Sequence, residues 1–359
     1  MTEAEPNRTA DPPSVVVAGH ICLDIIPRLS AAPHRRAPRS GSLDVIGPVT
    51  LAVGGCVGNT GIALHRLGLR PTLIARVGDD RPGEDRSIAH FPGVNDTFVA
   101  DDVPQELLRA ATLLHVGYPP LMAALVADDG HELRRLLARA RGCGVITSLD
   151  MANANLDPGA GGVRWRQILE RVLPDVDVFL PSLAEACHLL GRRVRRDEQG
   201  APTLASVARL ADELVDMGVG IAGVKLGEHG LYVRHASTAR MSAGSLRLPS
   251  SWPNREIYST VFETLVVGTA GAGDTTIAGF LFGLLTGRSP DETVTAACAV
   301  GESSTEAADG ASGVPSWREV EWRLRRGWRR KAAVSATGWA PSRDGGLWYG
   351  PRNAPGSGE

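Results

Sequence analysis

The run Val266-Val267-Gly268-Thr269-Ala270-Gly271-Ala272-Gly273-Asp274, followed at once by Thr275-Thr276-Ile277-Ala278-Gly279-Phe280, constrains the fold more than any other stretch. Val266 and Val267 read as the end of an apolar strand, the glycines as a tight turn, and the residues from Asp274 onward as an apolar helix. Glycine lets the backbone approach an anion closely, and the first amides of a helix point their N–H groups at it. A carboxylate in that place is repelled by an anion unless it has a task, such as taking the proton of a hydroxyl that attacks a phosphate. Helix capping by Asp274 is the other reading of the same residue.

Elsewhere short β-rich runs alternate with segments of helical period. Val15-Val16-Val17-Ala18-Gly19, then 72–77, 112–116, 145–150, 176–180 and 223–226 read as strands; 60–67, about 130–141, 274–286 and 290–307 read as helices. Near-continuous apolar strands between helices predict a mostly parallel sheet covered on both faces. Such sheets take ligands beyond the carboxyl ends of their strands, where Asp150, Pro181-Ser182, Gly227 and the 268–274 turn would collect. Residues 27–50, rich in Pro and Arg, break this rhythm and read as a projecting flap.

Several function classes are disfavoured. A formal net charge of -2 gives no global case for nucleic acid. The five cysteines are scattered, with no C-x-x-C pair or zinc spacing. No apolar run approaches a membrane span and residues 1–13 lack a signal-peptide core, so a cytoplasmic protein is expected. Neither G-x-G-x-x-G after the first strand nor G-x-x-x-x-G-K-[ST] occurs. Residues 331–359, rich in Gly, Pro, Ser and Arg, read as a flexible tail. The basic 323–331 run reads as a solvated face anchored by Trp322 and Trp328.

Four segments in order carry a resemblance. Gly54-Gly55-Cys56-Val57-Gly58-Asn59 is similar to a Gly-Gly…Asn signature. Pro181-Ser182-Leu183-Ala184-Glu185 stands where an Asn-x-x-Glu motif belongs. Lys225-Leu226-Gly227-Glu228-His229-Gly230 matches T-L-G-x-x-G, and the 268–274 turn looks like D-T-x-G-A-G-D. Together they resemble the ribokinase-like (PfkB) family of carbohydrate kinases. The resemblance implies a three-layer α/β/α fold with a reduced β lid, spanning 14–330, and transfer of the γ-phosphate of ATP to a hydroxyl of a small carbohydrate.

It further implies Asp274 as general base, with the amides of Gly271, Ala272 and Gly273 as the anion hole. Asp24, Gly54, Gly55 and Asn59 would hold the sugar. Lys225, Gly227, Gly230 and Thr269 would border the nucleotide, with 299–303 opposite. Glu185 would organise Mg²⁺ through water. The partners implied are a small sugar or sugar-like substrate, neither nucleic acid nor membrane, and a homodimer is left open.

The sequence departs from the family at four places. Gly268 replaces an Asp, which puts a monovalent cation in doubt, Ser182 replaces Asn, and Lys225 replaces Thr. Several tens of residues are missing near 84–85, between lid elements at about 27–53 and 86–100. The alternatives are therefore a nucleoside kinase of the same family, for which the lid offers only Phe91 and Phe98 as aromatics, or a truncated, non-catalytic nucleotide- or sugar-binding relative.

Overall fold

Val15, Val16, Val17 and Ala18 are all buried, and they alternate between two separate cores: Val16 and Ala18 point into one, Val15 and Val17 into the other. A strand buried on both faces in this way sits in the middle of a sandwich of helices. The computed structural model describes residues 13–27, 48–77, 93–152 and 163–353. Its elements run β1 (Ser14–Gly19), β2 (Cys22–Pro27), β3 (Val49–Gly54), α1 (Gly55–Arg66), β4 (Arg70–Ile74), α2 (Gln105–Ala110), β5 (Leu113–Gly117), α3 (Ala123–Gly142) and β6 (Ile146–Leu149). They continue as α4 (Trp165–Val172), β7 (Val178–Phe179), α5 (Leu183–Leu190), α6 (Leu204–Asp216), β8 (Ile221–Lys225), β9 (Leu231–His235), α7 (Thr238–Ala243), β10 (Glu256–Ser259), α8 (Ala272–Leu285), α9 (Pro290–Ser304), α10 (Trp317–Arg325), β11 (Ala340–Pro341) and β12 (Leu347–Tyr349).

Among the described residues one ten-stranded sheet has the order β11-β12-β10-β9-β8-β7-β6-β5-β1-β4. The half from β4 to β8 is parallel, and β9, β10, β12 and β11 extend it antiparallel. One core holds side chains of α3, α4, α5 and α6, the other those of α1, α8 and α9. The result is the expected α/β/α sandwich. The chain winds from β1 outward to β4 and then returns to β5 on the other side of β1. That reversal opens a crevice at the carboxyl ends of the strands. No helix among the described residues is long and apolar enough to cross a membrane.

The lid is a separate two-stranded antiparallel sheet of β2 and β3, with Asp24 opposite Ala52. Residues 28–47 of the expected flap, residues 1–12 and the junction at 84–85 lie outside the described residues. Residues 93–100, expected as lid, instead form short 3-10 turns packed on α3, where the Ala123 N–H donates to Asp96 Oδ1 (2.9 Å) and the Ala100 N–H to Glu132 Oε2 (3.0 Å). Phe98 is buried in the core, so this ring is not free to cover a nucleobase.

Two further expectations are corrected. Val266 and Val267 belong to no strand. The Val267 N–H donates to the carbonyl of Thr305 (2.8 Å) rather than to a sheet neighbour, and Leu265, Val266 and Val267 are exposed. The supposed tail is also structured up to residue 353. Its first residues are stitched to the stretch after β10: Lys331 N–H donates to Val261 O (2.9 Å), and Glu263 N–H to Arg329 O (2.8 Å). Further on, β12 pairs with β10. Trp328 anchors this stretch, stacking on Phe262 with ring centroids 4.6 Å apart and donating to Glu263 O. Trp322 does not; it is exposed under Arg326.

Candidate active site

Glycine placement shapes the entry to α8. The amides of Val267 and Gly268 both donate to Thr305 O at the end of α9. This draws residue 268 so close to the neighbouring loop that a Cβ there would lie 2.9 Å from the carbonyl oxygens of Ala307 and Ala308. Gly271 then takes a left-handed conformation (φ 70°) as the residue before the helix, which only glycine adopts at little cost. The Ala272 N–H turns back to Thr269 O (3.2 Å). The amides of Gly271 and Gly273 have no protein acceptor among the described residues, and both residues line the cleft.

Asp274 stands in the first turn of α8 and is 1% exposed. Asn59, on α1, donates from Nδ2 to Asp274 Oδ2 at 2.8 Å. The Tyr118 hydroxyl, just past β5, reaches both carboxylate oxygens at 2.9 Å. Burial raises the Asp274 pKa; Lys225, Asn59 and Tyr118 pull against it, and the charge of Glu185 adds to the rise.

The strand ends supply the surrounding charge. Lys225 ends β8, and its Nζ lies 3.0 Å from Oδ1 of Asp150, the residue after β6. Burial pushes the Asp150 carboxyl up to about 7, Lys225 opposing this and Glu185 and Asp274 reinforcing it. For Lys225, burial disfavours the charge but is outweighed by Asp150, Glu185 and Asp274, so it is held as a cation. Three carboxyl groups thus surround one ammonium, an arrangement that a further cation would balance.

Glu185 occupies a double position. Its Oε2 accepts from Ser182 N–H (2.6 Å) and Ser182 Oγ accepts from Glu185 N–H (3.2 Å), a reciprocal cap on α5. Oε1 has no hydrogen bond among the described residues, and Glu185 lines the cleft. Ser in place of Asn therefore serves the helix end. Among the described residues no three His, Cys, Asp or Glu side chains converge to ligate a metal directly.

Most of these residues line one cleft of about 360 Å³, Asn59 and Gly268 lying outside its lining. Asp150, Tyr118 and the first turn of α8 line it, as do Ser182, Glu185, Lys225, Gly227, Gly230 and Thr269. Gly230 is needed on conformational grounds: its φ is 101°, and a Cβ would meet Ser259 O at 2.0 Å. Of 299–303, Gly301 and Glu302 reach the lining; Glu302 pairs with Lys331 (3.5 Å), which the supposed tail contributes.

The sequence of this chain matches the pfkB family carbohydrate kinase pattern over residues 81–317. The chain belongs to this family. It is 24% identical over 266 residues to an uncharacterized sugar kinase of Archaeoglobus fulgidus, covering 64% of this chain and 89% of that protein. It is 25% identical over 289 residues to the ribokinase of Haemophilus influenzae, covering 75% and 86%. Among solved structures, a putative ribokinase II of E. coli in complex with ATP and Mg²⁺ superposes with a TM-score of 0.63 at 16% identity, covering 88% of this chain and 99% of that one. The fold is therefore ribokinase-like. Residues before the matched stretch belong to the same body, since β1 is the strand between β4 and β5.

The residues assigned to the sugar from the resemblance are brought together only in part. Asn59 lies on Asp274, but none of Asn59, Asp24, Gly54 and Gly55 is in the cleft lining. Asp24 folds over Gly54, where a Cβ would sit 2.3 Å from its Oδ2, and its Oδ1 accepts from the Cys22 thiol. Asp150 lines the cleft at the strand end where it was expected, whereas Tyr118 and Lys331 were not among the expected site residues.

Proposed function

We propose that this chain is an ATP-dependent sugar kinase that moves the γ-phosphoryl group of ATP to a hydroxyl of a small carbohydrate. The observation that carries the reading is Asp274, a buried carboxylate in the first turn of α8, beside two unspent amides and a buried ammonium in one cleft. Asp274 takes the proton of the attacking hydroxyl. The Gly271 and Gly273 amides and Lys225 hold the charge that develops on the transferred group, contacts that together contribute a few kcal/mol to lowering the barrier. Mg²⁺, when bound, neutralises phosphate charge, and Glu185 Oε1 is the side-chain atom placed to orient its water shell. Asn59 orients Asp274 from behind, while Asp24 is proposed to meet the sugar from the lid.

ATP consumption with Mg²⁺ across pentoses, hexoses, sugar acids and nucleosides tests the reading. Turnover with a sugar supports it; ATP binding without turnover on any acceptor counts against it. Because Asp274 is held above the usual carboxylate range of about 4, the rate is expected to rise with pH as this group loses its proton. A flat profile down to that range would exclude Asp274 as the base.

The reading includes a kinase that works without a monovalent cation. The 268 backbone closes directly on the 307 and 308 carbonyls, and Arg66 Nη1 donates to Ser312 O (2.8 Å) and Val314 O (3.0 Å) of the adjoining loop. Rates in K⁺ and in tetramethylammonium are expected to agree within twofold, and a tenfold stimulation by K⁺ would sink this part of the proposal.

A further inference from the structure

We propose that Tyr118 is a positioning residue for the base: its phenol, shared between both Asp274 oxygens, fixes the carboxylate so that Oδ1 is the atom that accepts the substrate proton. The inference rests on Asp274 acting as base, and adds which atom acts and what holds it.

The two oxygens are not equivalent. Oδ2 takes the Asn59 amide at 2.8 Å and a share of the phenol at 2.9 Å, whereas Oδ1 has only its share of the phenol, also 2.9 Å. A carboxylate oxygen accepts about two hydrogen bonds. Oδ2 is filled and Oδ1 keeps a place for one incoming hydroxyl.

The backbone shows that this placement of the ring is built in. Tyr118 has φ 63° and ψ 41°, a left-handed conformation that a bulky residue holds only when its surroundings impose it. On one side Gly117 is pressed against Cys56, with room for no side chain, a Cβ falling 2.1 Å from the sulfur. On the other side Pro119 and Pro120 follow, and the Leu121 N–H closes a turn onto Tyr118 O at 2.9 Å. The ring itself stacks on His20, 5.9 Å between centroids and 28° between planes.

The other groups facing Asp274 are Lys225 from β8, Asp150 beyond β6, Glu185 on α5, and Cys56 with Asn59 on α1. None of them changes in Tyr118→Phe, which keeps the ring, the stacking and the turn and removes only the donor. The substitution is expected to lower kcat about 10–100-fold with the KM for ATP within twofold, and to move the acid limb of the kcat profile up by about one unit. An unchanged kcat and an unchanged limb would overturn the proposal.

A second readout stands apart from turnover. With the side-chain carboxyl carbons of Asp labelled with ¹³C, the Asp274 signal is assigned by its loss in Asp274→Asn and then titrated. Its midpoint should rise in Tyr118→Phe, and a midpoint equal to that of the native protein overturns the proposal whether or not any sugar is phosphorylated. Absence of turnover in the native protein alone would strike the kinase reading and leave this titration to decide on Tyr118.

Discussion

With Asp274 changed to Asn, sugar-dependent ATP consumption is expected to fall about 10²–10⁴-fold, the usual contribution of a positioned general base. The protein is expected to keep its fold and its nucleotide affinity. An amide fills the same space, its carbonyl oxygen can take the Asn59 donor, and its NH₂ can donate to the Tyr118 oxygen. The cost of holding a charge in that place also disappears. Burial raises the Asp274 pKa above its value in an unfolded chain, so at neutral pH the folded state gains nothing from ionising it. The thermal midpoint of Asp274→Asn is therefore expected to equal or exceed that of the native protein while activity is lost, the usual balance at a site kept for chemistry. Scanning calorimetry beside a coupled ATPase assay checks both halves. Retained turnover would remove Asp274 from the mechanism.

Ending the chain after residue 339 is expected to destabilise the fold by at least about 3 kcal/mol, a large part of the 5–15 kcal/mol that domains generally possess. The truncation takes away β12, the partner of β10, together with buried Leu347. It also strips Glu256, which is completely buried on β10. This carboxylate accepts from Tyr232 Oη (2.8 Å), from Arg352 Nη2 (2.9 Å) and from the Arg352 amide (2.9 Å). Without Arg352 a charge is left in the core facing only a phenol. Arg352 is 38% exposed, so solvent screens part of the pair and places the single change Arg352→Met below the truncation in effect. Urea midpoints for the three proteins order them, and a truncated chain within 1 kcal/mol of the native one would show that the last strands are ornamental.

The sheet, its flanking helices and the α8 turn were legible because apolar period and glycine placement act locally, within a few residues of each other. The place of Asp274 in the first turn of α8 was legible for the same reason. Tyr118 was not, because it meets Asp274 across 156 positions in the chain, and nothing within the Gly117-Tyr118-Pro119-Pro120 stretch states what its ring will touch. The end of the described chain misled through composition. It is rich in Gly, Pro and Ser, yet Asp344-Gly345-Gly346 is a turn, with Asp344 accepting from Gly346 N–H (3.1 Å), and the short Leu347-Trp348-Tyr349 run after it pairs with β10. Val266 and Val267 misled in the opposite direction. Their apolar, β-branched character suits a strand, but the carbonyl at the end of α9 claims the Val267 amide first. Glu185 belongs to a family motif, and the same Ser182-x-x-Glu185 spacing is a capping signal in its own right, which the structure uses at the start of α5.

Lys331 reaches the cleft from a segment that follows α10 in the chain and lies beside residues 261–263. A chain that ends with α9 already contains Asp274, Lys225 and Glu185, but it lacks the Lys331 side chain that lines the same cleft. Glu302 meanwhile lacks its cation. The cleft is therefore completed only by the part of the chain that follows α10 in sequence.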